Sequence, residues 1–252
     1  MKKNDIIYGI NPILESLRSK DRTFNKIYIL KGRKDRAVNE IVDLTKRQYI
    51  PLYFENRQVL NRIAGSSKHQ GVIGIVSKKI FSSIDDILRA AKERDEEPFI
   101  LILDNIEDPG NIGAIIRTSD AVGVHGIIIP ERRCPGITNI TVKTSAGAVE
   151  HIKISRVVNI ANTIDMLKGK GIWIYGMDIT SQTSYTTTDY KRPLAIVSGN
   201  EGKGIRRLVL DKCDERISIP LKGKISSLNV SVAVGIVLYE VIRQRDNISH
   251  HL

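Results

Sequence analysis

The fold is decided by two stretches in the last quarter of the chain, LAIVSGNEGKGI (residues 194–205) and ISIPLKGKISSLNVSVAVGIVLYEVI (residues 217–242). In each stretch a short apolar run leads into a turn that contains glycine. An apolar run bounded by turn residues predicts a buried strand. The predicted strands are Leu194–Val197 and Ser218–Leu221.

The second stretch also predicts a long helix, Leu228–Ile242, with Ser226 and Ser227 as candidate N-caps. Its many β-branched residues favour a strand by propensity, whereas a continuous apolar length of about 15 residues favours a helix. A helix that is apolar on nearly all sides has to be buried in the core or against another chain. We therefore expect a homodimer.

Three glycines of the first stretch, Gly199, Gly202 and Gly204, leave backbone N–H groups uncovered, so that a ligand can approach the main chain. Their spacing is neither that of the phosphate-binding P-loop nor that of the dinucleotide fingerprint. Glycine turns after strands often bind nothing, and the glycines alone leave that alternative open. If the strand ends and the helix N-terminus converge on one cleft, the polar side chains offered to it are Glu201, Ser227 and Asn229.

The composition is that of an ordinary globular protein of one or two domains, with 252 residues, 41% hydrophobic and 27% charged. No apolar run reaches the length of a membrane span, and the first residues, MKKNDIIYGI, lack the apolar core of a signal peptide. We therefore expect a cytoplasmic protein with no membrane partner. Neither Cys134 nor Cys213 lies near other metal-ligand types at zinc-site spacing, so we expect no metal site.

The net charge of +11 points to a polyanionic partner, of which nucleic acid is the usual one. Residues 1–77 hold 15 lysines and arginines against 7 acidic residues, a net +8. Within them, the segment KGRKDR follows a predicted strand and has the composition of a phosphate-contacting loop, although a solvated loop has the same composition. The candidate RNA-binding residues of this segment are Lys31, Arg33, Lys34 and Arg36.

The order of predicted elements divides the chain into two α/β domains. Residues 1–77 alternate strands and helices in a small domain, and residues 78–98 form a linker with a partial helix capped by Ser83. Residues 99–246 repeat the alternation, which predicts an α/β domain with a mostly parallel sheet. Residues 247–252 are expected to form a tail.

The second domain opens with an unbroken apolar run, Phe99–Asp104, which predicts a central strand of a parallel sheet. A predicted helix, Ala114–Val122, and a predicted strand, Gly126–Ile129, complete a βαβ unit. The helix carries Arg117 close to its positive N-terminal end, where a cation is mildly disfavoured, and this hints at a negative ligand. A further helix is predicted over Thr138–Ala148.

Three segments, in this order and spacing, resemble the signature motifs of the SpoU/TrmH methyltransferases of the SPOUT superfamily. They are NIEDPGNIGAIIR (residues 105–117), VSGNEGKGI (residues 197–205) and IPLKGKISSLNVSVA (residues 219–233). Nearer the start, GINPILESL and HQGV resemble the substrate-binding domain of the 23S ribosomal RNA guanosine-2′-O-methyltransferase branch. The resemblance covers the chain as far as about Arg245.

The resemblance implies a fold, a cofactor and an oligomeric state. The implied fold is an α/β domain whose C-terminal segment threads through a loop in a deep trefoil knot, preceded by a small RNA-binding domain of the ribosomal-protein type. The implied cofactor is S-adenosyl-L-methionine, held by backbone groups around Gly199, Ile219 and Leu228. Members of the family are homodimers through helices of the knot, and the reaction needs no metal.

The implied reaction is methyl transfer to a ribose 2′-hydroxyl of RNA, with a guanosine of 23S ribosomal RNA as the expected target. The sulfonium supplies the electrophile, so the protein has to supply orientation and proton removal. By resemblance Arg117 activates the hydroxyl, either as a base, which is a demanding role for a guanidinium, or by binding phosphate and stabilising the developing alkoxide. The other implied catalytic residues are Asn111, Glu201, Ser227 and Asn229.

Several alternatives stay open at this point. Within the enzymes, they are a tRNA 2′-O-methyltransferase, a ribosomal methyltransferase that confers antibiotic resistance, and methylation of a base in place of the ribose. A different class is a non-catalytic RNA-binding protein or ribosome assembly factor. Binding of S-adenosylmethionine separates the enzymes from this last class.

Overall fold

A computed structural model describes residues 5–249 of the chain, with side chains as far as residue 246. The contacts divide it into two compact units. The first comprises the chain up to Ile80 together with Ile137–His151, and the second comprises the remaining residues. Of the expected tail, residues 247–249 continue the last helix, and residues 250–252 lie outside the described part.

Strands and helices alternate through most of the described chain. The strands are β1 (Asp5–Tyr8), β2 (Phe24–Leu30), β3 (Leu52–Glu55), β4 (Val72–Val76), β5 (Phe99–Asp104), β6 (Gly126–Pro130), β7 (Lys153–Val157), β8 (Trp173–Met177), β9 (Leu194–Gly199) and β10 (Glu215–Ile217). The α-helices are α1 (Ile10–Ser19), α2 (Arg36–Arg47), α3 (Arg57–Ala64), α4 (Ile84–Glu93), α5 (Pro109–Ala121), α6 (Asn139–Thr144), α7 (Ile160–Gly169), α8 (Arg207–Leu210) and α9 (Val230–Ser249).

The first unit is built on a mixed sheet in the strand order β1-β4-β2-β3. β4 pairs antiparallel with both β1 and β2, while β2 pairs parallel with β3. The alternation of strands and helices expected for this domain is confirmed. β1 was not predicted, because its four residues are too few to show an alternating pattern.

Residues 137–151 were expected in the second domain, but in the structure they belong to the first unit. Glu150 is buried there and accepts a hydrogen bond from Nε of the buried Arg22 at 3.0 Å. Burial raises the pKa of the Glu150 carboxyl, and the charges of Arg22 and Lys79 oppose this. The helix predicted over Thr138–Ala148 is shortened to α6, and a 3₁₀ turn follows at residues 148–150. A buried ion pair between distant residues leaves no periodic signal, so this packing was not predictable.

The second unit contains a parallel sheet in the order β10-β8-β9-β5-β6-β7. This confirms the predicted α/β fold with a mostly parallel sheet. Every residue of β5 and β9 is buried, as the unbroken apolar runs indicated. After β5, the chain adds β6 and β7 on one side of this strand and then places β8, β9 and β10 on its other side. The order in which strands are added across the sheet therefore reverses between β5 and β9.

The strand predicted over Ser218–Leu221 was wrong, because β10 ends at Ile217 and Ser218 forms only an isolated bridge. The helix expected within residues 78–98 with Ser83 as its cap is confirmed, since α4 begins with a capping box at Ser83. Ile87 of this helix packs so closely on β6 that a Cβ at Gly126 would lie 2.5 Å from it.

Helix α9 runs antiparallel to β5 and β9. At its start, Asn229 contacts Asn111 at the beginning of the helix that follows β5 and Glu201 in the loop that follows β9. Further along, Arg245 donates to main-chain carbonyls that precede the same strands. The roughly 16 residues between them span about 24 Å of helix, and the six residues of β5 span about 20 Å. The helix therefore extends along the whole length of the central strands.

The guanidinium of Arg245 fixes the far end of α9 through main-chain carbonyls. It donates to Tyr190 at 3.1 Å, to Glu97 at 2.8 Å and to Arg192 at 2.9 Å, and it lies 5.2 Å from the centre of the Phe99 ring. Burial lowers the pKa of the Arg245 guanidinium, and the charges of Glu97 and Glu96 oppose this. Across residues 5–249, no helix combines the length and apolarity that crossing a bilayer requires.

We expect Arg245→Met to lower the free energy of unfolding by about 2–3 kcal/mol, because several carbonyls lose charge-assisted hydrogen bonds. The measurement is urea unfolding followed by circular dichroism. Arg243→Met is the matched control, since Arg243 is exposed and, among the described residues, its side chain pairs with Glu240 alone, on its own helix. It should shift the midpoint far less. Equal losses in the two variants would contradict the role given to Arg245.

Candidate functional site

The candidate site lies where loops follow β5 and β9, the neighbouring strands at which the chain reverses direction across the sheet. In open α/β sheets, ligands bind outside the carboxyl ends of the strands at such a reversal. The loop after β5 leads into α5, and the loop after β9 is the glycine-bearing segment SGNEGKGI. The segment that joins β10 to α9 brings a third stretch of chain to the same place through Asn229.

Three of the predicted catalytic residues form one hydrogen-bonded group, here called the polar cluster: Asn111, Glu201 and Asn229. Oε1 of Glu201 accepts from Nδ2 of Asn111 at 3.0 Å and from Nδ2 of Asn229 at 2.7 Å. Nδ2 of Asn229 also donates to Oδ1 of Asn111 at 3.1 Å. The same Glu201 oxygen accepts from the backbone N–H of Val230 at 3.2 Å. The cluster thus ties the starts of α5 and α9 to the loop after β9.

Capping fixes the two helix starts that contribute to the cluster. Asp108 is the N-cap of α5 and accepts from the backbone N–H of Asn111 at 2.7 Å, so α5 begins five residues before the predicted helix. Asn229 caps α9 through Oδ1, which accepts from the backbone N–H of Ser231 at 3.0 Å. The prediction of Ser226 and Ser227 as N-caps was therefore wrong. Serine and asparagine cap equally well, so residue type did not decide between them.

The course of the main chain explains why residue 199 is a glycine. A Cβ at this position would lie 2.2 Å from the carbonyl carbon of Gly204 and 2.2 Å from the nitrogen of Ile205. Two backbone hydrogen bonds between Asn200 and Gly204 close the loop at that point. A glycine is thus required at residue 199 because the backbone of its own loop passes close to it, and ligand access is not needed to explain this residue. The loop holds Glu201 at its tip, within hydrogen-bond reach of Asn111 and Asn229.

The ion pair that anchors this loop was not predicted from the sequence. Asp104, the last residue of β5, is fully buried, and Arg206 donates to it from Nη2 at 2.6 Å, from Nε at 2.9 Å and from its backbone N–H at 2.9 Å. A carboxylate at the end of an unbroken apolar strand was the available signal, because a buried charge requires a partner. Asp104 also lies opposite Gly199 in the β5–β9 pairing.

Arg117 and Ser227 do not join the polar cluster. Arg117 is exposed on α5, and its guanidinium makes no hydrogen bond or ion pair within residues 5–249. It follows Asn111 by six residues, which corresponds to about 9 Å along the helix and about 240° around it. Ser227 is exposed, and its hydroxyl likewise makes no hydrogen bond in the described part of the chain. Both side chains are therefore available to a ligand.

The predicted cofactor contacts lie on two of the converging stretches. Gly199 is buried at the end of β9, and Ile219 and Leu228 are half-buried in the segment between β10 and α9. None of the hydrogen bonds among the described residues involves residues 219–228. An extended stretch of unpaired N–H and C=O groups is free to bind a ligand. The described residues contain no group of three or more His, Cys, Asp or Glu placed to hold a metal ion.

Two family models match the chain. Residues 98–239 match the SpoU rRNA Methylase family, and residues 6–81 match the RNA 2′-O ribose methyltransferase substrate-binding domain. This chain belongs to the SpoU/TrmH family of RNA methyltransferases. The polar cluster and the loop after β9 both lie within the residues that match the SpoU methylase model.

Relatives match over almost their whole length. A putative TrmH family tRNA/rRNA methyltransferase of Bacillus subtilis is 42% identical, with 97% of this chain and 98% of the relative covered. A protein of the same description from Staphylococcus aureus is 40% identical, with 98% of each covered.

Solved structures agree with the fold. The AdoMet-bound rRNA methyltransferase of Sinorhizobium meliloti gives a TM-score of 0.77 at 26% identity, with 99% of this chain and 88% of that one covered. The SpoU methyltransferase AviRb of Streptomyces viridochromogenes, in complex with AdoMet, gives a TM-score of 0.82, with 97% and 91% covered. At 23% identity, the likeness to AviRb concerns the fold alone.

The basic segment of the first unit divides into two kinds of residue. Arg33 is held within the protein, since its Nε donates to Asp35 at 2.6 Å and its Nη1 donates to the main-chain carbonyl of Gln70. The Arg33 hydrogen bond lowers the pKa of the Asp35 carboxyl, which also caps α2. The other candidate RNA-binding residues are exposed and form no ion pair within the described chain: Lys31, Lys34 and Arg36.

We expect Gly199→Ala to lower the free energy of unfolding by about 3 kcal/mol or to prevent folding, because backbone atoms occupy the space that the methyl group needs. Thermal unfolding of the purified variant is the measurement. Gly202→Ala is the matched control in the same loop, where the nearest atom to the added carbon is Oδ1 of Asn200 at 3.7 Å. A Gly199→Ala protein as stable as the control would show that the loop does not close as described.

Proposed function

We propose that this protein transfers the methyl group of S-adenosyl-L-methionine to a ribose 2′-hydroxyl of RNA, with a guanosine of 23S ribosomal RNA as the favoured target. The polar cluster at the carboxyl ends of β5 and β9 carries this proposal, because it places three predicted catalytic side chains together within the SpoU methylase match. The match of residues 6–81 to a 2′-O ribose substrate-binding domain supports the ribose as the acceptor.

The proposed cofactor contacts fit a nucleoside with a charged amino-acid tail. Ile219 and Leu228 offer half-buried apolar surface to an adenine ring, and the unpaired backbone of residues 219–228 offers donors and acceptors to its polar edges. The backbone at Gly199 completes this set of contacts. When bound, the cofactor supplies an electrophilic methyl group, and we propose that the reaction uses no metal.

The protein's own contribution is orientation and charge stabilisation. Glu201 gathers the amides of Asn111 and Asn229 on one oxygen, which fixes the loops on either side of the reacting groups. The free guanidinium of Arg117 is suited to hold an RNA phosphate and to stabilise the negative charge that develops on the 2′-oxygen. The free hydroxyl of Ser227 is suited to hydrogen-bond the substrate.

The identity of the substrate is tested by methylation in vitro. Purified protein and S-adenosylmethionine are incubated with unmodified 23S ribosomal RNA or with unmodified tRNA, and the products are mapped by mass spectrometry of nuclease fragments. We expect a methyl group on the ribose of one guanosine of 23S RNA. A methylated tRNA ribose would favour a second candidate function, that of a tRNA 2′-O-methyltransferase. The description of the Bacillus subtilis relative as a tRNA/rRNA methyltransferase is consistent with this candidate. A methylated base would contradict the 2′-O proposal.

We expect Arg117→Ala to slow methylation by at least about 100-fold, a typical effect of losing one stabilising group at the reacting atoms. Folding and the affinity for S-adenosylmethionine should stay near wild type, because Arg117 is exposed and outside the polar cluster. Single-turnover methylation and calorimetry are the two measurements. Arg89→Ala, at an exposed arginine of α4, is the control and should keep full activity. Unchanged turnover in Arg117→Ala would remove this residue from the mechanism.

We also propose that the protein is a homodimer through α5 and α9. A groove of about 510 Å³ lies between these helices, lined by Ala114 and Thr118 from α5 and by Val232, Ile236 and Tyr239 from α9. Val232 and Tyr239 are more than half exposed, although Val234, Val237, Leu238 and Val241 of the same helix are fully buried. A second copy of the chain would cover this apolar surface. Arg117 follows Ala114 by one helical turn, so the second copy would approach it.

Tyr239→Glu is expected to weaken the dimer by about 100-fold, because a charge would be buried without a partner. Sedimentation velocity over a range of protein concentrations measures this. Leu208→Glu on α8 provides the matched control, as Leu208 is also exposed but lies away from the groove, and it should leave the dimer intact. A monomeric wild-type protein at micromolar concentration would contradict the proposal.

The knot and the cellular location complete the proposal. We propose that the chain between β9 and α9 forms the deep trefoil knot of the family and that the protein works in the cytoplasm. The knot is supported by the tight loop at Gly199 and by the course of α9 along the full length of β5, with the start and end of the helix fixed by Asn229 and Arg245.

A further inference from the structure

One face of the sheet in the first unit carries aromatic and cationic side chains on neighbouring strands. Along β2, Ile27 and Ile29 are fully buried, whereas Tyr28 between them is only half-buried. Since successive side chains of a strand point to opposite faces, Lys26 and Tyr28 share the less covered face. The parallel pairing of β2 and β3 places Tyr53 directly beside Tyr28 on that face.

The three side chains, here called the aromatic face, are in contact. The rings of Tyr28 and Tyr53 have centroids 5.5 Å apart with an interplanar angle of 31°, and Nζ of Lys26 lies 5.5 Å from the centroid of Tyr28. Tyr53 belongs to β3, the edge strand of the sheet, and is 48% exposed. The aromatic face therefore presents a partly open ring surface with a cation beside it.

This chemistry matches one class of ligand. Unpaired nucleobases stack on aromatic side chains, and a neighbouring cation favours a polyanion. The net charge of +8 over residues 1–77 provides a matching field. Bases inside a duplex are already stacked on one another, so the aromatic face would select single-stranded RNA.

The basic segment continues the same strand. Lys31 follows Tyr28 by three residues, which is about 10 Å of extended chain. Lys31, Lys34 and Arg36 are exposed and unpaired within the described residues, so they are free to contact phosphates. A base on the ring surface and a phosphate on the segment are the two contacts that a bound single strand offers together.

We propose that Lys26, Tyr28 and Tyr53 form a stacking site for an unpaired RNA base, next to the phosphate contacts of Lys31, Lys34 and Arg36. The inference rests on the proposed RNA substrate and adds a feature of it: the bound RNA has an unpaired nucleotide at this position. Tyr53 is the outer wall of the site, and Lys26 supplies the charge.

The test uses the full chain and two labelled RNAs, a short oligouridylate and a fully paired hairpin, with fluorescence anisotropy at one fixed salt concentration. Tyr53→Leu keeps apolar bulk but removes the ring, and we expect it to weaken oligouridylate binding by about 5- to 100-fold. Tyr53→Phe and Tyr53→Trp keep a ring and should bind at least about as well as wild type. Hairpin binding should change little in any variant.

Tyr49→Leu is the matched control, because Tyr49 is a tyrosine of the same unit that is 94% exposed and makes no ring contact with the aromatic face. Thermal unfolding is measured for every variant. If Tyr53→Leu unfolds at a lower temperature but binds oligouridylate like wild type, the tyrosine pair only stabilises the sheet and the proposal is wrong. The proposal is also wrong if Tyr49→Leu loses as much binding as Tyr53→Leu.

Calorimetry with S-adenosylmethionine separates this inference from the proposed function. If the protein binds oligouridylate through Tyr53 but gives no heat with S-adenosylmethionine, the stacking site stands and the methyltransfer proposal is contradicted. If wild type and Tyr53→Leu methylate RNA equally well and bind oligouridylate with the same affinity, the methyltransfer proposal stands and the stacking site is contradicted.

Discussion

The structure of the second unit depends on the close passage of the main chain at the end of β9. The backbone of Gly204 and Ile205 occupies the space that a side chain at residue 199 would need. On the same rung of the sheet, Asp104 holds Arg206 through both its backbone and its guanidinium. The loop is thus fixed at both ends by contacts that tolerate little substitution. Glu201 at its tip has a defined position for that reason.

From this fixed loop the rest of the site is positioned by hydrogen bonds. One oxygen of Glu201 accepts three donors, two from amide side chains and one from the backbone at the start of α9. The amides bind one another and this carboxylate, so the cluster acts as a scaffold, and within the described residues the side chains of Arg117 and Ser227 make no hydrogen bond to the protein. A site of this kind favours catalysis by orientation over catalysis by proton shuttling.

The sequence predicted the parts of the molecule whose signals are local. β5 was predicted to the residue, because six consecutive buried residues give an unbroken apolar run with sharp ends. Glu201 and Asn229 were placed at one cleft from the predicted strand ends and helix start, whereas Asn111 came from the motif resemblance, and periodicity alone did not indicate that Asn111 and Asn229 would meet. The signals that failed were non-local or ambiguous. The pairing of Arg22 with Glu150 spans 128 positions, and the choice of Asn229 over neighbouring serines as a cap was decided by tertiary contacts.

The retention of Arg33 by Asp35 and Gln70 has a consequence for the ionic behaviour of the basic segment. A cation that is already neutralised by its own protein displaces no counterions from RNA when the two associate. With three free charges in place of four, the proposed RNA contacts of this segment would contribute about −2 and not about −3 to the slope of log affinity against log salt for a single strand. The RNA affinity of the first unit should therefore depend less on ionic strength than the number of its lysines and arginines would suggest.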